Sequence, residues 1–117
     1  MSLIIERNHF EGLSGAIEDI RKRNLYPTTY ATDHATAASP HWHSEEVLAY
    51  LVKGKTYFLD AESNRHEVEA GDLVTVPART LHAEGDINEP VVMLIGLADA
   101  TPMDRFLAQR DPAELHG

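Results

Sequence analysis

The chain has 117 residues, 43% hydrophobic and 25% charged, the balance of a single globular domain able to bury a core without staples. It has no cysteine, which excludes zinc–thiolate sites, disulfide scaffolds and cysteine nucleophiles. A net charge of −9 argues against a nucleic-acid partner, because phosphate backbones need a basic surface. No apolar run reaches bilayer-spanning length and the first residues do not read as a signal peptide, so no membrane partner and a cytoplasmic location are expected.

In chain order, Leu3-Ile4-Ile5 predicts an edge strand, or one lent to a partner subunit. Phe10, Leu13, Ile17 and Ile20 fall at helical spacing within Phe10–Asn24, predicting a short amphipathic helix that ends before Pro27, although Gly12 and Gly15 weaken the pattern. Acidic residues early and basic ones late suit its dipole. The first part of Thr28–Ala38 reads as a strand, and Ser39-Pro40 as the turn that delivers His41. Val47–Val52 and Thr56–Leu59 flank Lys53-Gly54-Lys55 and predict a β-hairpin. After the polar loop Asp60–Arg65 comes a short strand, His66–Glu69, then the turn Ala70-Gly71-Asp72 and a buried strand, Leu73–Val76, stopped by Pro77. Glu84–Pro90 is acidic loop. Val91–Leu97 is continuously apolar, as a strand covered on both faces should be. In the tail a helical turn is expected around Met103, Phe106 and Leu107. Many short strands with one helix predict an antiparallel barrel or sandwich.

Two stretches carry chemistry. His41-Trp42-His43 opens an apolar run ending at Gly54, and alternation along a strand projects both imidazoles to one face. Paired imidazoles begin a metal site. The second stretch, Gly71-Asp72-Leu73-Val74-Thr75-Val76-Pro77-Ala78-Arg79-Thr80-Leu81-His82, supplies a third. Trp42 points the other way, toward the core, as Tyr50, Phe58 and Met93 are expected to do. His9, His34, His66 and His116 lie outside both stretches and read as surface residues.

These segments resemble the two motifs of the cupins, small β-barrels of the jelly-roll kind. One reads His-x-His, then glutamate, bounded by a glycine turn; the other reads glycine, five residues, Pro-x-Gly-x-x-His. His41, His43 and Gly54 match the first, and Gly71, Pro77 and His82 the second. The resemblance covers residues 38–98, with 1–37 as a strand and helix extension and 99–117 as a tail of one cupin domain. It implies an all-β, antiparallel jelly-roll barrel with a short N-terminal helix, and a metal held by His41, His43 and His82.

The sequence departs from the pattern twice. The family's glutamate ligand lies four residues after the second histidine, where this chain has Val47; Glu46 comes one residue early. A one-residue shift turns a side chain to the opposite face, so Val47 is expected to face inward, with Glu46 a possible fourth ligand only if the loop shortens. Arg79 replaces the motif's glycine: either the turn needs no positive φ, or Arg79 carries some strain near the barrel mouth.

Three imidazoles suit one divalent ion per chain, Fe(II) first, with Zn, Ni, Mn or Cu as alternatives. Without an anionic ligand the ion would keep its full charge and favour an anionic, chelating substrate. Glu46, Glu45 or an inward-turned Tyr50 would then serve as general base, and Arg79 as a clamp for a substrate carboxylate. Three-histidine cupin dioxygenases imply a mononuclear non-haem iron dioxygenase acting on a small carbonyl or carboxylate compound. The alternatives are a Zn-, Ni- or Mn-dependent isomerase or lyase, and a ligand-binding cupin without catalysis. A small barrel must cover its edge strands, so a homodimer is expected.

Overall fold

The computed structural model describes residues 2–99 and 109–115. The turn expected around Met103, Phe106 and Leu107, and His116, lie outside them. The elements run β1 (Ile4–Glu6), α1 (Gly12–Lys22), β2 (Tyr26–Thr32), β3 (Val47–Lys53), β4 (Lys55–Leu59), β5 (Arg65–Glu69), β6 (Leu73–Val76), β7 (Ala83–Glu84) and β8 (Val91–Leu97). Among the described residues every strand pairing is antiparallel: one sheet has the order β1-β6-β3-β8-β2, the other β5-β4-β7. The all-β, antiparallel barrel with a short N-terminal helix is therefore the fold, and β1 is an edge strand of the larger sheet, as expected from Leu3-Ile4-Ile5.

Alternation along β3 builds two cores. Val47, Ala49 and Leu51 face the smaller sheet and pack with Phe58, Val68, Val74, Val76, Met93 and Ile95. Leu48 and Tyr50 face the other way and pack with Phe10, Ala16 and Ile20 beneath α1. β3 and β8 are thus covered on both faces, which is why they read as unbroken apolar runs. The helix dipole is matched only at its C-terminus, by Arg21 and Lys22; no acidic residue lies in the first turn.

The hairpin expected over 47–59 does not form. β3 pairs with β6 and β8, whereas β4 pairs with β5 and β7, so Lys53-Gly54-Lys55 carries the chain from one sheet to the other. Local turn chemistry marks a reversal but does not choose the partner strand; here burial of both faces of β3 between β6 and β8 chose it.

Asp72 ties the edge strand to this frame. Its carboxylate accepts from the backbone N–H of Asn8 at 3.0 Å and of Glu69 at 2.9 Å, and from Arg7 at 3.1 Å. Burial opposes ionisation, but these donors outweigh it and hold the carboxyl below its ordinary range. An unfolded chain therefore binds the proton more readily, and stability is lost as pH falls below the unfolded carboxylate value of about 4. Asp72→Ala should cost about 1–2 kcal/mol at neutral pH by removing the acceptor of two part-buried N–H groups, and should flatten the acid limb of a plot of stability against pH. Urea unfolding of both proteins between pH 3 and 7 measures both effects; parallel curves would remove this role.

Candidate metal centre

The two histidine-bearing segments meet through the backbone. His41 N–H donates to His82 O at 2.9 Å and His82 N–H to His41 O at 3.0 Å, so the two residues stand directly opposite in an antiparallel bridge. Their rings are 4.6 Å apart, and His43, two residues along the same face, places its ring 5.0 Å from His41 and 5.1 Å from His82. All three are buried. Arg79 N–H donates to His43 O at 2.9 Å from a φ of +63°, so the non-glycine residue does adopt the left-handed conformation.

A fourth group joins them. Glu84, two residues beyond His82, projects to the same face, and the four side chains offer one donor atom each, all within 4.8 Å of one another. Its oxygens lie 3.0 Å from His41 Nε2 and 2.7 Å from His82 Nε2. The other ring nitrogens are committed: His41 Nδ1 lies 2.6 Å from Ser39 O, and His82 Nδ1 lies 2.9 Å from Thr80 O. A carbonyl only accepts, so each Nδ1 carries the proton and each Nε2 turns its lone pair toward the carboxylate. Lone pair against anion repels unless a proton or a metal ion lies between. Neither Nε2 has a hydrogen-bond partner, although the Glu84 oxygens lie close. Buried, unpartnered nitrogens converging with a carboxylate are the donor set a divalent metal satisfies. Without one, burial disfavours a charged His41, but Glu84 and the Ser39 carbonyl outweigh that and raise its pKa. Burial likewise opposes ionisation of Glu84, yet the two imidazoles hold its carboxyl far below the usual range.

The other sequence candidates do not reach this cluster. Glu45 and Glu46 are exposed, and Val47 is buried and lines the lumen, as strand parity required. Glu84, rather than Glu46, is the carboxylate that stands with the three imidazoles. Tyr50 lies under α1, its hydroxyl donating to Asp19 at 2.7 Å, and burial with that carboxylate pushes the phenol well above its ordinary pKa. It cannot serve as general base in the lumen. Tyr50→Phe should cost about 1.5 kcal/mol in urea unfolding and leave metal binding unchanged; lost metal would return Tyr50 to the site. Arg79 is exposed, its guanidinium 5.0 Å over the ring of Trp42, whose indole N–H donates to Asp111 O at 2.9 Å. Trp42 is buried as expected, while Phe58 and Met93 pack in the core and also line the lumen. His34 is exposed and His9 and His66 partly so, the latter 2.9 Å from Asp60.

The cluster borders a lumen of about 260 Å³ between the sheets, lined by His43, Val47, Ala49, Phe58, Ile87 and Met93 among others. Among the described residues no lysine or arginine lines it.

A two-sheet antiparallel barrel with imidazoles and a carboxylate converging inside it defines a class of small metal-site barrels. Residues 30–95 match the profile of the cupin domain, and the chain belongs to the cupin family. No curated protein is detectably similar in sequence. Among solved structures, a DUF861 family protein from Thermotoga maritima superposes with a TM-score of 0.58 at 18% identity, over 81% of this chain and 98% of that one. The DMSP lyase DddQ from Ruegeria pomeroyi gives 0.57 at 19% identity, over 68% of this chain and 40% of the lyase. An oxalate decarboxylase from Bacillus subtilis, described for its Mn(II) centres, gives 0.52 at 21% identity, over 67% of this chain and 22% of the enzyme. This chain thus spans less than half the length of those two enzymes. At such identities the likeness is one of fold. No helix among the described residues is long and apolar enough to cross a membrane.

Proposed function

We propose that this cupin binds one divalent transition metal through His41, His43, His82 and Glu84 and acts on a small, uncharged, largely apolar carbonyl compound in the lumen. The observation that carries this is the four donor atoms within 4.8 Å of one another at the wall of the cavity. The carboxylate changes the chemistry expected from three imidazoles: Glu84 offsets one of the metal's two charges, so capture of an anion is less favoured. The lumen agrees, since among the described residues no lysine or arginine lines it to hold a carboxylate. A carbonyl substrate fits better than a carboxylate one.

A bound divalent ion would supply Lewis acidity and, as Fe(II), a centre at which dioxygen reacts. The chain does the rest. Ser39 O and Thr80 O fix the tautomers and ring orientations of His41 and His82, so both present Nε2 inward. Val47, Ala49, Phe58 and Ile95 exclude water and orient an apolar substrate body, leaving its oxygen as the group that faces the donors. We favour a mononuclear iron dioxygenase. The carboxylate donor, and an oxalate decarboxylase with Mn(II) centres on the same fold, support a second reading, a Lewis-acid lyase or isomerase using Mn or Zn. A homodimer acting on this small-molecule substrate belongs to the same proposal.

Metal content of the purified protein by mass spectrometry, followed by assays with small diketones and ketones, tests this. Oxygen uptake with Fe(II)-loaded protein supports the dioxygenase; turnover under strict anaerobiosis with Mn or Zn supports the second reading. Neither, with every metal and ketone tried, would leave a ligand-binding cupin.

A further inference from the structure

The lumen opens where its lining is exposed. Most of the described residues that border it are buried, but Tyr30, Thr36 and Gln109 are exposed and mark its mouth. Tyr30 belongs to β2, and Thr36 to the loop after it. Gln109 comes from the far end of the chain, and the backbone sets its place. Trp42 N–H donates to Arg110 O at 3.3 Å and Arg110 N–H to Trp42 O at 2.8 Å, so these two residues also stand opposite in an antiparallel bridge. The strip His41-Trp42-His43 is thus flanked by His82 on one side and by Arg110 on the other.

Alternation along this strip decides where each side chain goes. Trp42 turns outward, its indole N–H donating to Asp111 O at 2.9 Å, and Arg110 opposite it shares that outer face. Gln109, one residue back, stands across from His43 and shares the inner face, in agreement with its place on the lumen wall. A capped turn fixes the segment from its other end. The Asp111 carboxylate accepts from Ala113 N–H at 2.8 Å, the Glu114 carboxylate accepts from Asp111 N–H at 3.2 Å, and Pro112 opens the turn. Gln109 therefore brings a neutral amide, with N–H donors, to the mouth beside His43. The other polar groups there suit a carbonyl oxygen less well: ionised Glu84 only accepts, and the Thr56 hydroxyl already donates to Asp86 O at 3.2 Å.

We propose that Gln109 is a specificity-determining residue of the lumen: its side-chain amide donates a hydrogen bond to the oxygen of a ligand bound beside His43. It thereby favours a carbonyl compound over a hydrocarbon of the same shape. This rests on the lumen being the chamber for uncharged carbonyl compounds, as proposed above, but on no particular metal or reaction.

Cyclopentanone and methylenecyclopentane share a ring and differ in C=O against C=CH2, so the pair isolates the hydrogen bond. Both are titrated calorimetrically into the protein as purified, into Gln109→Leu, which keeps the bulk and loses the donor, and into Tyr30→Phe. In Gln109→Leu the ketone should bind about three- to tenfold more weakly, the worth of one hydrogen bond, while the alkene should bind as in the wild type. A role in shaping the mouth alone would weaken both probes equally, and that result overturns the proposal. So does ketone affinity unchanged in Gln109→Leu, whether or not Tyr30→Phe shows the loss instead. No binding of the ketone to the wild type overturns the lumen as a carbonyl chamber, and this inference with it.

Discussion

Replacing His82 with alanine should reduce affinity for divalent metal by more than roughly 100-fold, because loss of a partner one shell further out already costs 10- to 100-fold. His82 is the hinge of the cluster: it bridges to His41 through both backbone hydrogen bonds, and its Nε2 is 2.7 Å from Glu84. Removing the ring deletes one donor and releases the carboxylate from its position. Glu84→Gln is the more discriminating change. It keeps size and shape, so His41 and His43 should stay in place, but it removes the negative charge that compensates the ion. A 10- to 100-fold loss is expected. Glu46→Gln should leave affinity unchanged, since Glu46 is exposed. Titration of the metal-free proteins with Mn(II), followed by calorimetry, measures all three, with far-ultraviolet circular dichroism as the check on folding. Equal losses for Glu46→Gln and Glu84→Gln would return the fourth ligand to the first motif; unchanged affinity in His82→Ala would remove the shared site altogether.

Glu84 lies outside both motifs, whose spacing sets the carboxylate four residues after His43, where this chain has Val47 with Glu46 beside it. Yet the rule that paired His41 with His43, same face every second residue, applies equally to His82 and Glu84. Parity likewise placed Val47 inward, and the same alternation through Ala49 and Leu51 turns Tyr50 outward, under α1. What single-strand periodicity cannot supply is which strands become neighbours. The Lys53-Gly54-Lys55 turn has hairpin chemistry, but pairing is decided by long-range burial, so β3 and β4 part into different sheets. Arg79 illustrates a further limit. Its sequence position announces a turn, but whether the side chain clamps a ligand depends on the direction it takes, and Trp42 draws it along the outer surface.

The turn at Gly54 should be the least tolerant backbone position among the glycines of the described chain. Its φ is +86°, and a Cβ there would lie 2.3 Å from the carbonyl oxygen of Pro90 and 3.1 Å from a methyl of Val91. Left-handed backbone costs an L-residue about 1–2 kcal/mol. The clash adds to this, because the obstructing atom is backbone and cannot rotate away. It stands at the entry to β8, the strand that joins β2 to β3 at the centre of the larger sheet. Relief would have to shift β8 or splay the crossing from β3 to β4, the step that brings Thr56 and Phe58 to the lumen. Gly54→Ala should therefore cost about 3–4 kcal/mol, lowering Tm by on the order of 12–16 °C for a chain of this size. Gly12 provides the control. Its φ is +65°, but nothing lies within 4 Å of a Cβ built there, so Gly12→Ala carries conformational strain alone, about 1 kcal/mol. Thermal unfolding of the two variants separates strain from collision. If both lose the same few degrees, the contact with Pro90 relaxes freely, and the sheet-to-sheet crossing is not the rigid joint inferred from its geometry.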